Sequence, residues 1–224
     1  MTSVKCAPSP AHAASAPIAL GARTALLLDT GERLFVVGLY IWMVGRMVGS
    51  IMAAAWLGNV LLLLGEGLVV LFSAIRRRTT NISHSPFEWC LAVAATSAPL
   101  MVVAGDKQNA WFPGFFTLVM VVGLLVQFAA KLTLARSFGL VPAHRGLKMS
   151  GPYRIVRHPM YAGYLIMQVG FLALNPTWWN IAAYIVCWTL QVRRLLAEEA
   201  FLGRDPAYRE YQARVAYRVV PGLF

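Results

Sequence analysis

Read for polarity alone, the chain is a series of long apolar runs separated by short polar ones. Mainly apolar windows lie near 34–54, 56–75, 87–104, 113–134, 159–175 and 177–192. A helix needs about 20 such residues to cross a bilayer core, since each residue advances it by about 1.5 Å. The pattern predicts an all-α, polytopic membrane protein of about six transmembrane helices, the third, fifth and sixth windows being short. Asn175-Pro176, between the last two runs, is a turn signal. The fifth and sixth spans are therefore expected to form an antiparallel hairpin. That hairpin would return "RHPMY" at 157–161 and "RRLLAEE" at 193–199 to one membrane face, although about 40 residues separate them.

Composition sharpens this picture. The 224 residues are 58% hydrophobic and 13% charged, with a mean hydropathy of +0.61, far from the balance of a soluble domain. Residues 1–32, rich in Ala, Pro and Ser, lack the continuous apolar stretch of a signal peptide and read as a mobile tail. Residues 33–112 read as N-terminal transmembrane helices, and 113–224 as the core that carries the chemistry. Cys6, Cys90 and Cys187 have neither metal-ligand nor redox-pair spacing, so they read as unpaired thiols and no metal site is expected.

The net charge of +11 raises the question of nucleic acid, and its distribution answers it. Arg76 to Arg78 follow the second span. Lys131, Arg136, Arg145, Lys148, Arg154 and Arg157 surround the connection from the fourth to the fifth. Arg193, Arg194, Arg204, Arg209, Arg214 and Arg218 follow the sixth. With both ends of the chain cytoplasmic, these and Lys5, Arg23 and Arg33 fall inside, leaving Arg46 and Lys107 near the outer side. This is the positive-inside bias of short loops, so the charge sets topology and no nucleic-acid partner is expected. The inner connections, 135–159 and 193–224, are also the long ones, so an active site is expected at the cytoplasmic face.

Two clusters carry candidate chemistry. Pro159 suits the first turn of a helix and places Arg157 and His158 at its mouth, where free N–H groups favour an anion. Tyr161 and Tyr164 put amphipathic rings at interface depth, and Gly151, Gly163 and Gly170 permit close approach of backbone or ligand. In the second cluster Arg194 and Glu198 share a helical face, with Glu199 rotated about 100° away. "YREYQARV", from 208, reads as an amphipathic helix that could close a pocket between the clusters. Glu66, in "LLLLGEGLVVL", stands apart: a carboxylate deep in a span is either a functional group or a packing residue between two glycines.

"GPYRIVRHPMYAGY", then "RRLLAEE" after one hairpin, then "YREYQARV…VPG" resembles the isoprenylcysteine carboxyl methyltransferase family, and more distantly the phospholipid N-methyltransferases. The likeness covers roughly 113–224, and "SFGLVPAHRG" resembles a bacterial branch. It implies an enzyme of the bacterial inner membrane that passes a methyl group from S-adenosylmethionine to a lipophilic acceptor entering from the lipid, leaving S-adenosylhomocysteine. It implies that Arg145, Gly146, Leu147, Lys148, Tyr153, His158, Pro159, Met160, Tyr161 and Glu198 hold the cofactor, and that Arg194 acts on the acceptor. The segment before "GPY" departs from the family's His-x-Leu-Val-Thr, with Arg145 in "HRGLKMS" where the family has His. Cofactor contacts there would then run through the backbone.

The residues fit such a donor. A methyl sulfonium is a cation that loses its charge on transfer, so aromatic faces suit it better than a neutralising carboxylate. A lone Arg194 in place of a base favours an acceptor that is already anionic, a carboxylate or thiolate, over an amine that must lose a proton. Methylation of a phospholipid amine or small thiol, a transporter or scaffold, and a nicotinamide-dependent membrane reductase remain as rival readings. Polar residues gathered at one face, rather than at broken helices near the midplane, disfavour transport.

Overall fold

The computed structural model describes residues 22–51, 56–75, 86–104, 112–134 and 149–224, and among these all regular structure is helical. Seven α-helices follow in order: α1 (Ala22–Ile51), α2 (Trp56–Ile75), α3 (Pro86–Ser97), α4 (Pro113–Leu134), α5 (Pro159–Leu174), α6 (Trp178–Leu202) and α7 (Pro206–Arg214). Single 3₁₀ turns at Ala98–Met101 and Gly151–Arg154 extend α3 and precede α5.

The apolar windows and the helices coincide closely for α2 and α4, which are long and apolar enough to cross a membrane by length and composition. α5, with 16 residues, spans roughly 24 Å at 1.5 Å per residue, short of a bilayer core. α1 reaches back to Ala22, through residues that composition reads as tail. Its early turns carry an Asp29–Arg33 ion pair at 3.0 Å, and Arg33 Nη1 also donates to the Ala74 carbonyl of α2 at 2.6 Å. α6 continues ten residues past its apolar window, so "RRLLAEE" is helical throughout.

Apolar side chains crowd the outer surface: Leu27, Leu34, Leu64, Leu118, Leu125, Ile185 and Trp178 are all exposed. A water-soluble protein of this size could not carry so much contiguous apolar surface, whereas lipid accepts it. Helix association inside lipid then depends on close packing rather than on apolar burial. α4 and α5 supply it. A Cβ on Gly123 would lie 2.5 Å from the Met167 amide nitrogen, and one on Gly163 would lie 2.6 Å from that of Gln127. A Cβ on Gly170 would meet the Phe116 carbonyl oxygen at 2.8 Å. The close approach permitted at Gly163 and Gly170 is thus taken by the backbone of α4.

The α5–α6 connection is three residues long. Thr177 caps α6 by accepting from the Asn180 amide at 3.1 Å. Asn180, fully buried, donates to the Asn175 and Val103 carbonyls at 2.9 Å each and accepts from the Val103 amide at 2.8 Å. These bonds satisfy a polar group in an apolar setting and fix α6 to the segment after α3. From this turn the two helices splay: α5 lies along α4, while α6 packs against α3 and only lightly on α5. Clefts open between them.

Candidate functional site

α5 begins at Pro159, with His158 as its N-cap residue, because proline lacks the N–H that the first turn cannot use. The backbone of Arg157 and His158 is held by the segment beyond α7: their N–H groups donate to the Tyr217 and Arg218 carbonyls at 2.9 and 2.8 Å. Gly151 has φ +59, in the left-handed region open to glycine, and this turns the chain into the 3₁₀ element that carries Tyr153. Tyr211 of α7 donates its hydroxyl to the Tyr153 carbonyl at 2.7 Å, anchoring α7 beneath that element. Burial, with Glu198 nearby, holds the Tyr153 phenol well above its ordinary range.

The hairpin does bring the two clusters together, and the junction is Glu199. Its Oε1 accepts from Arg157 Nε at 2.7 Å and lies 3.2 Å from His158 Nε2; its Oε2 accepts from Arg218 Nε at 2.8 Å. Arg157 Nη1 donates further to the Val215 and Ala216 carbonyls at 2.8 and 2.9 Å. The anion at the mouth of α5 is therefore one the chain itself supplies. Burial alone would raise the Glu199 carboxyl, but hydrogen bonds from His158, Arg157 and Arg218 bring it down to about 2.

Arg194, one turn before Glu198, is buried, while Glu198 is half-buried. Tyr161 lies within electrostatic reach of both. Its ring meets those of His158 and Tyr164 edge-on, at centroid distances of 5.7 and 6.2 Å. Its hydroxyl is buried and has no hydrogen-bond partner among the described residues. Met160, Tyr164 and Arg194 continue into a narrow cleft with a cavity volume of about 20 Å³, walled also by Glu66, Val69, Thr96, Pro99, Gln168 and Gln191. An apolar groove with a cavity volume of about 190 Å³, lined by Leu165, Trp188, Leu195, Val219 and Phe224 among others, adjoins it at Gln191.

Of the residues singled out from sequence, Tyr153, His158, Pro159, Met160, Tyr161, Arg194 and Glu198 gather around the α5–α6 junction. Arg145, Gly146, Leu147 and Lys148 lie outside the described residues. Among the described residues no group of His, Cys, Asp and Glu is arranged to hold a metal. Sequence reasoning did not single out Glu199, Arg218, Lys131, Gln127, Gln168 or Gln191. Glu199 had a signal: Cys187, Gln191, Leu195 and Glu199 follow one another at intervals of four, and all are buried. Arg218 had none, since nothing local to it announces a partner on α6.

A family model described as phospholipid methyltransferase matches residues 114–208, which contain both clusters. Protein-S-isoprenylcysteine O-methyltransferase A of Arabidopsis thaliana is 32% identical over 142 residues, covering 59% of this chain and 72% of that protein. A probable protein-S-isoprenylcysteine O-methyltransferase of Oryza sativa subsp. indica is 30% identical over 183 residues, covering 73% of this chain and 94% of the relative. The second alignment is long enough to take in spans ahead of the chemistry-bearing half. With its helices, apolar surface and paired clusters in place, the chain belongs to the protein-S-isoprenylcysteine O-methyltransferase family and is a membrane methyltransferase.

Proposed function

We propose that the protein transfers the methyl group of S-adenosylmethionine to the carboxylate of a lipophilic, isoprenylcysteine-like acceptor that reaches the site from the bilayer. The observation that carries this reading is the setting of Tyr161. A buried hydroxyl without a partner is costly and points to a ligand atom that completes it. The rings of His158 and Tyr164 meet that of Tyr161 edge-on, an aromatic setting that suits a sulfonium, and Arg194 and Glu198 both lie within electrostatic reach. The residues present fit the donor. Tyr153, Tyr161 and Met160 offer faces, Glu198 accepts from ribose hydroxyls or the amino group, and His158 with Pro159 shapes the helix mouth. The likeness to the family adds Arg145 to Lys148 to the residues that hold the donor.

When bound, S-adenosylmethionine supplies an electrophilic methyl carbon. An acceptor oxygen bonds to it as the carbon–sulfur bond breaks, and that bond's electron pair stays on sulfur. An acceptor that is already a carboxylate has no proton to lose, so Arg194 needs only to orient it and exclude water. The apolar groove that adjoins the cleft at Gln191 suits the acceptor's tail. Six spans, with both ends of the chain cytoplasmic, set the site at the cytoplasmic face of a bacterial inner membrane, in keeping with the positive-inside bias. Methylation of a phospholipid amine is the second reading, favoured by the description of the matching family model.

Calorimetric binding of S-adenosylmethionine and S-adenosylhomocysteine to the detergent-purified protein, with NADPH as control, tests the donor. Glu198→Ala weakens that binding by about tenfold or more, near 1.4 kcal/mol. Arg194→Ala spares it and lowers turnover. Failure of a folded protein to bind either sulfur compound overturns the reading, and methylation of lipid amines in preference to prenylated thiol acids moves it to the second.

A further inference from the structure

Methyl transfer as proposed leaves Arg218 without a task, although it stands where three parts of the molecule meet. It lies in the segment beyond α7. Its carbonyl accepts from the His158 N–H at 2.8 Å, and its Nε donates to Glu199 Oε2 at 2.8 Å. Its Cζ stands over the Phe224 ring, 5.1 Å from the ring centre and within cation–π range. Stability does not account for it: the side chain is 36% exposed, and ion pairs so open to solvent contribute little. Glu199 does not need it either. Arg157 Nη2 also reaches Oε2, at 3.4 Å, while Arg157 Nε and His158 lie on Oε1.

What Arg218 adds is a tie between the Glu199 network and the apolar groove. The chain that follows it folds back in a tight turn. The main-chain oxygen of Phe224 accepts from the N–H groups of Arg218, Val219 and Val220 at 2.9, 2.8 and 3.0 Å, and Gly222, with φ +82, supplies the left-handed conformation the turn requires. Val219, Val220 and Phe224 line the groove, and its other lining residues belong to α5 and α6. The turn is therefore one wall of the groove. Its internal hydrogen bonds fix its shape but not its distance from α6, whereas the Arg218 guanidinium bonds to a carboxylate of α6 and stands over the ring of that wall. A hydrocarbon tail arriving from lipid gains nothing by leaving water. It gains from close packing, and packing needs a wall that stays in place.

We propose that Arg218 is a positioning residue for acceptor specificity: by tying the wall at 219–224 to Glu199 it keeps the groove closed on the acceptor's hydrocarbon tail, so that tail length is read as affinity. This rests on the reading of the protein as a methyltransferase of prenylated acids whose tails lie in that groove. Arg218 touches neither donor nor acceptor and acts through Phe224.

The test measures kcat/KM for N-acetyl-S-farnesylcysteine and N-acetyl-S-geranylcysteine with the full chain in lipid nanodiscs. Partition into the bilayer favours the longer tail equally for every variant, so a change in the farnesyl-to-geranyl ratio reports the protein. Arg218→Gln is expected to lower that ratio about fivefold, through a raised KM for the farnesyl compound, while S-adenosylmethionine affinity and the thermal midpoint stay near those of the wild type. Phe224→Ala lowers the ratio similarly, and the double variant lowers it no further than either single, as two residues acting as one unit require. A ratio that Arg218→Gln leaves in place, whether activity on both compounds falls alike or not at all, overturns the proposal. If that variant does not purify, Phe224→Ala decides by itself, and an unchanged ratio there overturns the proposal equally. Loss of S-adenosylmethionine binding in a folded Arg218→Gln overturns it by moving the residue to the donor. Methylation of neither compound, by a wild type that binds S-adenosylmethionine, overturns instead the acceptor reading on which it rests.

Discussion

Glu199 holds Arg157, His158 and Arg218 on its two oxygens, whereas Glu198, one residue earlier on α6, lies within electrostatic reach of Tyr153 and Tyr161. Adjacent carboxylates separated by about 100° of helix thus serve different ends, and substitution should separate them. Glu199→Ala strands the buried Arg157 without its carboxylate and releases the partly exposed Arg218, so a loss of about 3 kcal/mol is expected, read as a lowered thermal midpoint in detergent. Faster proteolysis of the segment beyond α7 should accompany it, because Arg157 and His158 hold that segment. Glu198→Ala should leave the midpoint nearly in place while weakening donor binding. The folded Glu199 carboxyl at about 2 lies below its ordinary value of 4.5, so its contribution is complete above pH 4.5. That contribution fades as pH falls toward 2 and amounts to about 3 kcal/mol by linkage. A thermal midpoint that declines over this interval in the wild type, and declines less in Glu199→Gln, is the expected outcome.

At the scale of elements, the closest fit among the described helices is between α4 and α5, and glycine permits it. Gly163 faces the Gln127 amide so closely that even a methyl group must push backbone against backbone. Gly163→Ala is therefore expected to cost about 1–3 kcal/mol, as overpacking does. Gly45→Ala, where nothing lies within 4 Å of the added Cβ, should be neutral or slightly stabilising. Equal midpoints for the two variants in a thermal unfolding series would show that the α4–α5 contact is looser than described. The contact matters for function because α5 carries His158 to Tyr164. A shift of α5 on α4 moves the helix mouth relative to α6, and with it the distance between Tyr161, Arg194 and Glu198.

For the whole molecule, lateral access and sidedness are the properties that bind structure to activity. Residues of α5 and α6 line both clefts, and the outer surface of these helices carries exposed apolar side chains such as Val169, Ile185 and Leu196. Under the proposed function, an acceptor with a hydrocarbon tail would enter from lipid while its polar head meets charges that lipid would not tolerate. The expected topology is tested by single cysteines in a cysteine-free background. In inside-out membrane vesicles a membrane-impermeant thiol reagent should label Arg154→Cys at once and Lys107→Cys only after the bilayer is opened. Reversed labelling would turn the protein over and place its site on the other face.

Hydrophobic periodicity by itself determined the all-helical class, the helices α2 and α4, the start of α5 at Pro159 and the meeting of its mouth with the end of α6. Each of these follows from local chemistry: run length, a proline at a first turn, an Asn-Pro break. The motif residues Tyr153, Tyr161, Arg194 and Glu198 were legible as well, since their types and spacing carry the likeness to the family. Other features only the tertiary structure decided. Which of two neighbouring glutamates binds Arg157 depends on where the segment beyond α7 returns, and that return is a contact between residues 58 and 59 apart in sequence. The glycines of α5 meet a helix rather than a ligand because α4 happens to cross there. Glu66 could be read from sequence as a costly carboxylate, but its neighbours Lys131 and Arg194 come from two other helices. Charge compensation in an apolar interior acts through space, and so the partners of a buried charge are set by packing and not by the chain's order.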